Sequence, residues 1–92
     1  MTDDAIVQAL FALLEARSPG STACPSEVAR ALAPNDEAAW RALMPQVRRV
    51  AAALASRGLL TVTRRGVEAD ATDPGGPIRL ARRSSRASKR IG

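Results

Sequence analysis

Twelve of the fourteen Arg and Lys residues fall in positions 41–92, accompanied by only three Asp or Glu. Positions 1–40 carry two basic and six acidic residues, so the first stretch has a net charge of −4 and the second +9. Cations in such excess bind anions, and nucleic acid is the commonest polyanion met by a small basic surface. Within this set, Gln46 and Arg49 are the candidates for reading base edges, because glutamine pairs with adenine and arginine with guanine. Arg48, Arg64 and Arg65 suit phosphate contacts, which position a protein without reading sequence. Arg82, Arg83, Arg86, Lys89 and Arg90 extend the phosphate-contact set into a serine-bearing run whose binding would weaken steeply with salt. Each also has a plainer reading as solvated surface charge.

Catalytic chemistry is poorly supplied. The chain has no histidine, no tyrosine and one cysteine. Cys24 is the only thiol nucleophile on offer, and no histidine is present to serve as its base. Asp36 and Glu37 read as first-turn helix charges, and Asp70 with Asp73 is too small a set for a specific cation cage. Ligands for a structural zinc of the usual kind are missing. Gly75-Gly76 lacks the lysine and helix of a phosphate-cradling loop. The expectation is a protein that is not an enzyme and has no cofactor or metal. A lone cysteine forms no internal disulfide, which suits a reducing cytoplasm. No uncharged apolar run approaches the roughly 20 residues of a membrane span. The first residues are acidic where a secretory leader is basic. A cytoplasmic protein without membrane association is therefore expected.

Ninety-two residues suit one domain. Ile6, Leu10, Leu13 and Leu14 recur at helical spacing, predicting a helix from Asp3 or Asp4 to about Ala16, capped by Thr2 or Asp3. A second helix is expected over Pro25–Ala33, with Cys24 at its cap and Val28 and Leu32 inward. Asn35 would cap a third stretch, Asp36 to Met44, anchored by Trp40 and Leu43. The ring of Pro45 would clash with the carbonyl four residues earlier in a continuous helix. A break near Leu43-Met44 is thus expected, with a fresh helix from Pro45 to Arg57 closed by Gly58; one kinked helix over 36–57 is the alternative. Val47, Val50, Ala51 and Leu54 form its inner stripe, while Arg49, Ala52, Ala53 and Ser56 point outward. Phe11 and Trp40, the only aromatics, are each expected to fill a large share of the core.

After Gly58 the pattern alternates, predicting a strand over Leu60–Arg64 with Leu60 and Val62 inward. Arg65-Gly66 is the expected turn, and Val67–Asp70 the returning strand of a small hairpin. Ile78-Arg79-Leu80 can pair as a third short strand. This order implies an α+β, mainly helical fold: a winged helix-turn-helix with three to four helices and a C-terminal β-hairpin. Residues 1–82 would form that domain, and 83–92 a basic, flexible tail. A generic small α+β domain is the alternative.

The run Cys24-Pro25-Ser26-Glu27-Val28-Ala29-Arg30-Ala31-Leu32, followed by Trp40–Pro45 and Val47-Arg48, resembles a family of small bacterial proteins known only as a domain of unknown function. The segment with Gly66 and Gly76-Pro77-Ile78-Arg79-Leu80 is similar to that family's closing part. The likeness covers roughly residues 5 to 82 and implies a winged-helix domain, with no activity or site residues to carry over. On that fold, the last core helix would enter the major groove of duplex DNA and the wing would meet its backbone. The competing expectation is a protein-interaction or homodimerising adaptor domain, favoured if Val7 and Phe11 leave an open apolar patch. The sequence does not set the oligomeric state.

Overall fold

Thr2 starts the first helix, its hydroxyl accepting from the Ala5 N–H at 3.1 Å. The computed structural model describes residues 1–18, 20–73 and 75–83. Three helices, α1 (Asp3–Glu15), α2 (Pro25–Leu32) and α3 (Glu37–Ser56), precede three strands, β1 (Leu60–Arg64), β2 (Val67–Glu68) and β3 (Arg79–Arg82). α1 buries Ile6, Leu10 and Leu14, one turn apart, and carries Asp3 and Asp4 at its positive dipole end. α2 opens with Pro25, where a missing N–H costs nothing. The Glu27 carboxylate reaches back to accept the Cys24 N–H at 2.9 Å, capping the helix from its third residue.

α3 runs unbroken through Pro45, against the expected break. The described residues form three helices, the lower of the two expected counts, and Asp36 in place of Asn35 is the cap, accepting from the Ala39 N–H at 3.0 Å. Losing one helix bond to an interior proline costs about 3 kcal/mol. Tertiary packing offsets that loss. Trp40, Leu43 and Met44 before the proline and Val47, Val50, Ala51 and Leu54 after it lie on one continuous stripe against the same core. A break would rotate one half of the stripe away from that core. Replacing Pro45 with Ala restores the missing bond and is expected to stabilise the fold by about 2 kcal/mol, after allowance for the freer unfolded chain. Urea denaturation checks this; two separate helices meeting at Pro45 would instead gain nothing.

The end of α3 follows the sequence closely. Gly58 takes φ +77°, the Gly58 N–H donates to the Ala55 carbonyl at 3.0 Å, and the Leu59 N–H donates to Leu54 at 3.0 Å. These two bonds form a Schellman cap, which needs a residue free to adopt the left-handed region.

The sheet is three-stranded and antiparallel in the order β2-β1-β3. β1 pairs with β2 at two positions, Thr63 with Glu68 and Arg64 with Val67. It pairs with β3 at four, from Leu60 with Arg82 to Thr63 with Arg79. β3 is thus the main partner. Its far edge is taken by Ala23 between α1 and α2, which exchanges two backbone bonds with Leu80 at 2.7 and 2.9 Å. The chain is accordingly α+β and about half helical.

Leu60 and Val62 point inward as their alternation predicts, joining Ile6, Leu10, Val28, Val47, Ile78 and Leu80 in an aliphatic core. Phe11 and Trp40 do not fill that core. Both are half-buried at its margin, where arginines cover them: Arg30 and Arg41 lie 4.6 and 4.9 Å from the Trp40 ring centre, and Arg82 lies 6.0 Å from that of Phe11. Small residues such as Ala23, Ala29, Ala51 and Ala71 let the elements approach closely enough for aliphatic side chains alone to close the centre.

Candidate functional site

Gln46 and Arg49 are one helical turn apart on α3, so their side chains share a face. That face meets the start of α1. Gln46 Nε2 donates to Asp3 Oδ1 at 2.8 Å and to the Met1 carbonyl at 2.7 Å, and Arg49 Nη2 donates to the same Asp3 oxygen at 3.0 Å. The Gln46 hydrogen bond foremost, with Arg49 assisting, holds the Asp3 carboxyl below its ordinary range. Both candidate base readers are thus engaged by the chain's own first residues. Because α3 starts at Glu37, these two residues lie in mid-helix, while Asp36 and Glu37 occupy the start expected to reach deepest.

Two of the phosphate candidates hold the loop between β2 and β3. Arg48 Nη1 donates to the Ala71 carbonyl at 3.4 Å. Arg64 Nη2 donates to the Asp73 carbonyl at 2.9 Å, and its Nη1 lies 3.9 Å from the Asp73 carboxylate. The Arg64 side chain is only 20% exposed, so its charge serves the loop before any ligand. Asp70 is engaged locally as well, accepting from the Thr72 N–H at 2.9 Å and hydroxyl at 2.7 Å, which together lower its carboxyl's pKa.

Arg65 is different. It stands exposed at the tip between β1 and β2 with φ +55°, followed by Gly66 at +82°. Two successive positive φ values fit a turn that matches strand twist, and an arginine there accepts backbone strain for an outward position. At the other end of β1, Arg82 pairs with Glu15 at 3.0 Å while Arg83 is exposed and bonds through its backbone to Leu59. Arg57, the exposed α3 cap residue, adds a cation that sequence reading took only as the helix end. Among the described residues, the Arg57, Arg65 and Arg83 side chains make no ion pair or hydrogen bond. Arg86, Lys89 and Arg90 lie outside the described residues.

A second polar cluster ties α1 to α2 and the sheet. Arg17 Nη2 pairs with Glu27 Oε2, and Arg17 Nη1 donates to the Thr22 carbonyl at 2.8 Å. Arg79 Nε donates to the Thr22 hydroxyl at 2.8 Å. Hydrogen bonding from Arg17, and next from the Cys24 N–H, lowers the Glu27 carboxyl from an ordinary 4.5 to about 2. A carboxyl depressed on folding adds stability above its unfolded value and loses it as pH falls toward the folded one. Stability should therefore decline from pH 4.5 to about 2. Glu27→Gln should flatten that decline in thermal melts; an unchanged acid limb would contradict the assignment. Glu27 at the third position of a proline-started helix was the sequence signal for this cap. Its partner Arg17 had none.

With this geometry in view, comparison of the sequence with protein families finds a match over residues 3–83 to the family described as protein of unknown function, DUF3253. The chain belongs to that family. The match covers all three helices and all three strands, so the family's unit is the whole of the fold just described. No curated protein matches this DUF3253 member. Among its described residues, no helix is long and apolar enough to cross a membrane.

Proposed function

We propose that the chain is a winged-helix domain that binds duplex DNA chiefly through the phosphate backbone. The observation that carries this reading is the set of uncommitted cations: Arg57 and Arg83 at one end of β1 and Arg65 at the other. A five-residue strand separates the two ends by about 17 Å, so they could meet phosphates at separate points. Support also comes from element order, since three helices followed by strand, loop and strand suit a core with a wing. The later half of α3 packs beside β1 and exposes Ala53 and Ser56, whose short side chains permit close approach, while Ala52 turns toward the core.

The acidic start of α3 directs the approach away from Asp36 and Glu37 and toward the stretch from Arg49 to Arg57. Two guanidinium groups already lie over the Trp40 ring, which leaves it a poor platform for stacking unpaired bases, so a duplex is favoured over a single strand. The adaptor alternative draws less support, because Val7 and Phe11 both pack against the core and keep only part of their surface open.

Fluorescence anisotropy with labelled random-sequence duplex, single strand and tRNA tests the proposal. Duplex binding at low salt that weakens strongly at physiological salt is the expected result. Failure to bind the duplex at low salt would reject it.

A further inference from the structure

Asp3 lies 43 and 46 positions from Gln46 and Arg49 in sequence, yet one of its oxygens accepts from both. We infer that Gln46 and Arg49 form a binding pair for a nucleic-acid phosphate oxygen, and that Asp3 of the same chain fills this pair in the free protein. The inference rests on the duplex-binding reading and changes the role of both residues within it.

The geometry favours a phosphate oxygen over a base edge. Gln46 Nε2 and Arg49 Nη2 both present N–H donors, 2.8 and 3.0 Å from a single anionic oxygen. Reading adenine requires glutamine to offer a donor and an acceptor together. A phosphate oxygen requires only donors and brings the negative charge that Asp3 now supplies. Exchange of one anion for the other is accessible, since the Arg49 and Asp3 side chains are 62% and 61% exposed. An exposed pair of this kind is held weakly and gives way to a polyanion, whose neighbouring charges act together. The Met1 carbonyl, which takes the second Gln46 hydrogen at 2.7 Å, keeps the amide turned toward this position. Asp3 therefore acts as an internal competitor that lowers affinity for the duplex.

The test compares Asp3→Asn with Asp4→Asn. Asp4 is the adjacent carboxylate on the same turn, and it accepts from Gln8 at 3.1 Å and makes no hydrogen bond or ion pair to α3 among the described residues. Both variants change net charge equally, so any general electrostatic gain is shared. Anisotropy at low salt with a random-sequence duplex should show Asp3→Asn binding about two- to five-fold more tightly than Asp4→Asn. Adding Arg49→Ala to Asp3→Asn should abolish that advantage. Equal affinities for the two single variants, or an advantage that survives Arg49→Ala, would overturn the inference while leaving duplex binding itself intact. Absence of binding by the native chain and every variant would instead remove the functional reading, and this inference with it. A readout independent of substitution is the Gln46 side-chain amide resonance of the native chain, which should shift as duplex is added and Asp3 is displaced. A resonance that stays in place while the duplex binds would also overturn it.

Discussion

Replacing Leu80 with Ala is expected to remove about 2–5 kcal/mol of folding stability, the range for a large aliphatic residue truncated in a packed interior. Leu80 is fully covered, faces Val62 across the sheet, and exchanges both backbone bonds with Ala23. It is where the segment between α1 and α2, the last strand and the central strand converge. Domains of this size are stable by about 5–15 kcal/mol in total, so the variant would keep a fraction of that margin. Denaturant midpoints should fall accordingly, with the melting temperature lower by at least about 10 °C. Leu80→Met, which nearly preserves volume, should cost less than about 1.5 kcal/mol. A loss below about 1 kcal/mol for Leu80→Ala would show that β3 does not close the core.

Ending the chain at Arg83 should change the salt dependence of duplex binding more than any single substitution. The deletion removes Arg86, Lys89 and Arg90 and no acidic residue. It retains β3 and the Arg82–Glu15 pair, which a cut that removed Arg82 would break. With each lost cation matched to one phosphate, the slope of log affinity against log salt should shrink by about 2.7. Between about 50 and 200 mM salt that difference amounts to about 40-fold in affinity. The effect should be uniform across duplex sequences, because phosphate contacts carry no sequence information. An unchanged slope would assign all phosphate contacts to residues 1–83.

Local signals carried much of the fold. The inner stripe Val47, Val50, Ala51 and Leu54 is buried as its spacing predicts, and Gly58 takes the left-handed cap position that glycine alone occupies easily. Thr2, Pro25 and the alternation of Leu60 to Arg64 were equally legible, since each depends on neighbours within one turn or strand. Pro45 was misleading for a physical reason. Its penalty is local and visible in sequence, whereas the burial that outweighs it is shared by residues on both sides of a helix packed against distant elements. The pairing of β3 with both β1 and Ala23 likewise spans up to 57 positions and leaves no local mark. For the site, sequence showed where cations are concentrated but not which of them the fold engages. Asp3 on Gln46 and Arg49, and the loop carbonyls on Arg48 and Arg64, are products of tertiary contact.

The central claim is that cations left free by the fold, together with the later half of α3, meet a phosphate backbone. Its most direct test is a backbone-amide footprint by two-dimensional NMR as duplex DNA is added at low salt. The account predicts perturbations around Arg49 to Arg57, at the Arg65-Gly66 tip and around Arg83, with the Arg17–Glu27 cluster unmoved. A footprint centred on α1 near Val7 and Phe11, or no footprint while the protein remains folded, would contradict it.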